Sequence, residues 1–90
     1  MLEKEIENYL IKRVKENGGL CLKWISTVTG VPDRIVFLNQ KIRFVELKTE
    51  NGQVSERQKV VFKQIEDQGH EVCIIRSKSD VENFIEAIKS

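Results

Sequence analysis

The sequence predicts an α/β fold with the element order α-β-β-β-α-β-α, a small mixed sheet flanked by helices. Three features carry that expectation. An apolar residue recurs at every fourth position near the start, two β-patterned runs flank a two-residue turn, and a capped helix leads into a strongly apolar strand.

Taken in order, Leu2, Ile6, Leu10 and Val14 form the apolar stripe of a helix over residues 2–16, with Lys12, Arg13 and Lys15 toward water. Gly18-Gly19 stops it. LCLKWI, residues 20–25, is a first strand, and STVTGVP links it to Asp33 through turn-forming residues. Residues 33–38 and 41–48 are strands on either side of Asn39-Gln40, a spacing that suits an antiparallel hairpin; without the favoured Asn-Gly pair, the turn type stays open. Ser55 and Gln58 have the spacing of a capping box, so a second helix runs from Ser55 to about Gln68. Val60, Val61, Phe62 and Ile65 give it a buried face, and Gly69 ends it. EVCIIR, residues 71–76, is the last strand, and Ser79 caps a final helix carrying Val81, Phe84, Ile85 and Ile88. The helical crossover between the third and fourth strands favours parallel pairing along a right-handed path.

Ninety residues suffice for one domain, here residues 1–90, with one sheet and a few helices but no second core. With 40% apolar and 32% charged residues the chain reads as globular, and no apolar run approaches a membrane span. The opening MLEKEIENYL lacks the basic start and continuous apolar segment of a secretory signal, so a cytoplasmic protein is expected. Cys21 and Cys73 are too few for a disulfide framework and lack metal-ligand spacing, so both are expected to be buried free thiols. A net charge of +1 gives no global field to steer a polyanion. Any case for nucleic acid must rest on where particular residues sit.

Those residues lie in GVPDRIVFLNQKIRFVELKTENG, residues 30–52. Alternation along the third strand puts Glu46 and Lys48 on one side with Ile42 and Phe44, where an unpaired carboxylate is costly. One remedy is a plain Glu46–Lys48 salt bridge. The other is a divalent cation shared with a second carboxylate. Asp33 is the natural second ligand, because the hairpin brings the start of its strand near the end of the next. Pro32 stiffens that approach, and Gly30 would permit close passage of a substrate backbone. On the first helix, Glu3 falls inside the apolar arc and Glu7 at its edge, so Glu3 is a candidate third acidic group unless it merely favours the helix dipole.

This mixture suits phosphodiester hydrolysis, in which water attacks an anionic phosphorus and further negative charge builds on its oxygens. Mg²⁺ prefers carboxylate, carbonyl and water oxygens and neutralises that charge. Asp33 and Glu46 would anchor it, with the Leu47 backbone carbonyl as a third ligand. Lys48 would orient the nucleophile or stabilise the transition state. Gln58 would cap its helix and reach Lys48 or a phosphate.

Gly30-Val31-Pro32-Asp33, twelve intervening residues, Glu46-Leu47-Lys48, then Gln58 and the helix-ending Gly69 together resemble the VRR-NUC family, a branch of the PD-(D/E)xK nuclease superfamily. EKEIENYLIKRVKENGG also looks like that family's first helix, so the likeness spans nearly the whole chain. The resemblance implies a restriction-endonuclease-like core and Mg²⁺- or Mn²⁺-dependent DNA cleavage. It places the metal ligands on Asp33 and Glu46, the lysine on Lys48, the helix glutamine on Gln58 and the N-terminal glutamate on Glu3, with Glu7 the other claimant. It further implies a stand-alone phage or bacterial type that dimerises and acts on branched DNA such as Holliday junctions or flaps. Where many relatives carry a Pro-Gly and arginine-rich segment, this chain has Ser26-Thr27-Val28-Thr29. Lys23, Arg34, Arg57 and Lys59 are candidate contacts to flanking phosphates. Trp24 is expected in core or dimer packing, with stacking on an unpaired base as its other use. The alternative function is a catalytically silent DNA-binding or accessory module, and a third is a purely structural interaction domain in which the same residues form a salt-bridge cluster.

Overall fold

In the computed structural model, which describes residues 1–90, the apolar patterns resolve into the expected order. The elements are α1 (Glu3–Glu16), β1 (Leu20–Lys23), β2 (Arg34–Leu38), β3 (Lys41–Leu47), α2 (Glu56–Asp67), β4 (Val72–Ile75) and α3 (Lys78–Lys89). They build a four-stranded sheet in the order β1-β2-β3-β4. The β1–β2 and β2–β3 pairs are antiparallel, and β3–β4 is parallel across the α2 crossover.

Strand alternation sorts the side chains onto two faces. Val36, Leu38, Val45, Leu47 and Ile75 turn to one face and meet Ile6, Leu10 and Val14 of α1 and Val81, Phe84, Ile85 and Ile88 of α3. This is the main core, and each such side chain contributes roughly 1.5–3 kcal/mol by leaving water. The other face is partly covered by α2, through the buried Val61 and Phe62. Leu20, Leu22, Phe37 and Ile42 on that face stay exposed. Cys21 and Cys73 are free and half-buried; burial pushes the Cys21 thiol up to about 11 and raises that of Cys73 as well.

Several local expectations change. Leu2 is the N-cap of α1 and is exposed, so the buried stripe begins at Ile6. Ser77, not Ser79, caps α3, because its hydroxyl accepts the Asp80 N–H at 3.0 Å from the position just before the helix. Val60 faces water rather than the sheet. At the hairpin tip, Asn39 (φ 53°) and Gln40 (φ 63°) both take the left-handed conformation that a two-residue turn needs for the strand twist. The Asn39 side-chain amide donates to the Ile88 carbonyl at 3.1 Å, tying the turn to the end of α3. No helix is long and apolar enough to cross a membrane.

Candidate active site

The β2–β3 register pairs Arg34 with Val45. One step further, Asp33 stands opposite Glu46, and opposed residues of an antiparallel pair share a face. Both therefore point to the α2 side. Asp33 precedes β2 rather than opening it, and two bonds hold it. Its Oδ2 accepts the Leu47 N–H at 2.9 Å, and its backbone carbonyl accepts the Trp24 N–H at 3.0 Å. By the same register, Pro32 stands opposite Leu47 and has no N–H to donate, so it leaves the Leu47 carbonyl without a ladder bond from β2.

Glu46 is only 2% exposed and is the one buried charged residue. Its Oε2 accepts from Gln58 Nε2 at 2.7 Å and lies 3.2 Å from Lys48 Nζ. Its Oε1 is buried with no hydrogen-bond partner. Burial, then the charge of Asp33, pushes the Glu46 carboxyl above its ordinary range, against the opposing pull of Lys48 and Gln58. An orphaned buried carboxylate oxygen is expensive, so it marks a place where a positive group is wanted. The Lys48 N–H donates to the Ile75 carbonyl at 3.0 Å, so β4 fixes the backbone from which the lysine projects.

Gln58 sits at the third position of α2, and the capping box is complete: Ser55 Oγ accepts the Gln58 N–H, and Gln58 Oε1 accepts the Ser55 N–H. Its amide nitrogen reaches Glu46, rather than Lys48 or open solvent.

The remaining sequence candidates fall elsewhere. Glu3 is exposed in the first turn of α1, because the stripe that would have enclosed it starts one turn later. Glu7 is the α1 carboxylate that reaches the sheet, and it meets Arg34 at 2.9 Å. Burial raises the Glu7 carboxyl, but the hydrogen bond and charge of Arg34, with Lys4 beyond, outweigh it and hold the group below its usual range. Arg34 is thus committed to α1 on the core face, away from Glu46, and is not free for a phosphate. Lys23, paired with Arg34 in the register, projects from that same face and is exposed. Arg57 and Lys59 are exposed on the first turns of α2, with Arg57 Nε bonded to the Thr29 carbonyl at 3.1 Å and Lys59 paired with Glu56. Gly30 (φ +101°) does not open a path for substrate, since a Cβ there would lie 3.0 Å from the Arg57 carbonyl and 3.1 Å from Val61 Cγ2. Its glycine serves close packing of the link against α2.

One further residue positions the site, and no sequence motif marks it. Arg76, at the end of β4, donates Nη1 to the Thr49 and Gly52 carbonyls, and its backbone N–H donates to Asp80 Oδ2 at 2.8 Å. It clamps the loop that joins Lys48 to α2. No local motif announces such a long-range contact.

For a cation, the donor chemistry fits in part. Asp33 and Glu46 converge, Glu46 Oε1 is unpaired, and the Leu47 carbonyl lies on the same strand end. No third His, Cys, Asp or Glu side chain joins them in a cluster. Two carboxylates, a backbone carbonyl and water oxygens make a set that a hard, strongly hydrated cation such as Mg²⁺ accepts.

The hairpin thus sets Asp33 opposite Glu46, with Lys48 two residues on and Gln58 reaching in from the crossover helix, the arrangement that the PD-(D/E)xK pattern in the sequence leads one to expect. The VRR-NUC domain model matches residues 3–79, and the chain belongs to that family. It is 34% identical over 88 residues to "Putative nuclease p44" of Acyrthosiphon pisum secondary endosymbiont phage 1, covering 96% of this chain and 94% of that protein. A solved structure described as a VRR_NUC domain superposes with a TM-score of 0.85 at 30% identity, covering 93% of this chain and 94% of its own.

Proposed function

We propose that residues 1–90 form a single-domain, Mg²⁺- or Mn²⁺-dependent DNA endonuclease that cuts branched DNA, such as four-way junctions or flaps, in the cytoplasm. The observation that carries this reading is the buried, unpartnered Oε1 of Glu46 beside Asp33, with Lys48 within 3.2 Å of the same carboxylate. Asp33, Glu46 and the Leu47 carbonyl would hold the cation. When bound, it makes a water more acidic and neutralises charge on the phosphate oxygens. Lys48 presents a positive group beside the site, able to orient the attacking water or to stabilise charge developing on phosphorus oxygens. Gln58 holds Glu46 in one rotamer. Glu3 and Glu7 take no part in this scheme, the first for want of a neighbour and the second because Arg34 occupies it.

Cutting both strands of a junction needs two sites, which a twofold dimer supplies. Support comes from the uncovered sheet face. The register sets Leu20, Phe37 and Ile42 in one row, with Leu22 and Ile35 beside it, and no charge interrupts them. A second copy on this face would cover these side chains.

A second reading is favoured by the Lys48–Glu46 ion pair, which alone offsets part of the buried charge: a silent DNA-binding module. The experiment that divides them is incubation with labelled four-way, flap, duplex and single-stranded DNA in Mg²⁺ or Mn²⁺. Cleavage of branched substrates in preference to duplex, lost in Glu46→Gln, is the expected result. Binding without cleavage of any substrate would establish the silent module instead.

A further inference from the structure

The row that carries Asp33 and Glu46 has a third member. Continuing the β1–β2 register one step past Lys23–Arg34 brings Trp24 opposite Asp33, and the Trp24 N–H bond to the Asp33 carbonyl fixes it there. The Trp24 ring lies 5.4 Å from the Phe44 ring, tilted by 40°, and Phe44 meets the His70 ring edge-on at 5.8 Å. These three rings line a shallow, open cleft of about 330 Å³, bordered on the other side by Val61, Gln64 and Gln68. Phe44 is two residues before Glu46 on the same strand face, about 7 Å along the strand, so the cleft adjoins the carboxylates. One nucleotide spans that distance.

We infer that this cleft is a subsite for one unpaired nucleobase of the strand flanking the cut phosphate, an assignment that rests on the nuclease reading above. Aromatic walls accept the flat face of any base, and each stacked base contributes about 1–3 kcal/mol. Gln64, Gln68 and His70 bring both donors and acceptors to the rim, where the base's hydrogen-bonding edge would lie. A base held in a duplex cannot present its face to such a cleft, so occupancy favours unpaired DNA. The charge pattern calls for the same device. With a net charge of +1 and no basic residue in Ser26–Thr29, the chain has little phosphate attraction to rely on, and stacking supplies a grip that charge does not. The competing occupant is an apolar side chain of a second copy of this chain, such as Ile25, which is 85% exposed.

Trp24 is the only tryptophan, so its emission reports the cleft directly. In EDTA, without cleavage, a short oligothymidylate should change that emission saturably and bind about tenfold more tightly than an abasic strand of equal length. This comparison needs no variant. Trp24→Ala, followed by anisotropy of labelled strands, should abolish the preference for the base-bearing strand over the abasic one. Equal affinity for the two strands with unchanged emission would overturn the subsite. Emission that instead tracks protein concentration without DNA, in step with sedimentation, would give the cleft to a second copy and also overturn it. Base-dependent emission with no cleavage of any DNA once Mg²⁺ is added would keep the subsite and remove the nuclease reading. Cleavage with no base dependence would do the reverse.

Discussion

Gln58 donates its side-chain amide to Glu46 at 2.7 Å while the oxygen of that same amide accepts the Ser55 N–H at 2.9 Å. One side chain therefore closes the start of α2 and holds the buried carboxylate of β3. The amide's orientation follows from its partners, since only its oxygen can serve the Ser55 N–H. Capping and site support are one arrangement here, not alternatives.

This dual role can be split by substitution. Gln58→Ala removes both bonds and should destabilise the protein by about 1–2 kcal/mol. Gln58→Glu keeps the capping box, which accepts Glu at this position, but sets a second carboxylate against Glu46. Its loss of stability should therefore be small in acid and grow toward neutral pH, where both groups ionise. Urea unfolding of the two variants at two pH values checks this. Identical losses at both pH values would mean that Gln58 matters only as a cap.

Glu46 and Glu7 should give opposite pH dependences. The folded-state carboxyl of Glu46 is raised by burial and by Asp33, so its contribution to stability is present in acid and is lost as pH rises through the raised value. Neutralising it with Glu46→Gln should thus raise the melting temperature near neutrality, and the gain should vanish in acid. Glu7 is held below its ordinary range despite its burial, because Arg34 and Lys4 outweigh that burial. Its contribution is present above the unfolded value and is lost as pH falls through the lowered one. Glu7→Gln should therefore lower the melting temperature at neutral pH and approach wild type in acid. Melting curves across the acid range, in EDTA, test both signs.

Lys48 carries the sharpest activity prediction. Lys48→Ala removes the only cation within reach of Glu46, so cleavage should fall by about 10²–10⁴-fold. Stability at neutral pH should fall as well, because the buried carboxylate loses an opposing charge while keeping Gln58. Divalent-cation binding should survive, since an ammonium group does not ligate a cation, and calorimetry reads it independently of cleavage. Cleavage at the wild-type rate would remove Lys48 from the reaction.

Much of this arrangement could be read from the chain because it is local. Period-two alternation around a two-residue turn is enough to set Asp33 opposite Glu46 and to put Lys48 on the same side. Ser55 and Gln58 lie within one helical turn, so the capping box was visible too. What escaped depends on contacts distant in sequence. Helical angles alone favoured Glu3 over Glu7, whereas the observed core starts at Ile6 and Glu7 is drawn to Arg34, twenty-seven residues away. Arg34 looked free for phosphate because only the sheet shows which helix faces it. Arg76 and its grip on the Thr49–Gly52 loop, and the packing of Gly30 on α2, arise in the same way from tertiary placement.

Divalent cations should act on stability through the same carboxylates. A cation that binds only the folded protein stabilises it by about 2.7 kcal/mol at a concentration one hundred times its Kd. For a domain of this size that corresponds to a rise of roughly 10–20 °C in melting temperature. Wild type should show the rise with Mg²⁺ and Mn²⁺. Glu46→Gln should respond little, as should Asp33→Asn, whose side-chain oxygen can still accept the Leu47 N–H and so preserve the fold. The effect must also depend on pH in a definite direction. Below the raised carboxyl range of Glu46 a cation has to displace a proton to bind, so its stabilisation should shrink in acid and strengthen toward neutrality. A melting temperature unmoved by millimolar Mg²⁺ and Mn²⁺ at neutral pH would assign Asp33, Glu46 and Lys48 to a salt-bridge cluster and not to a metal centre.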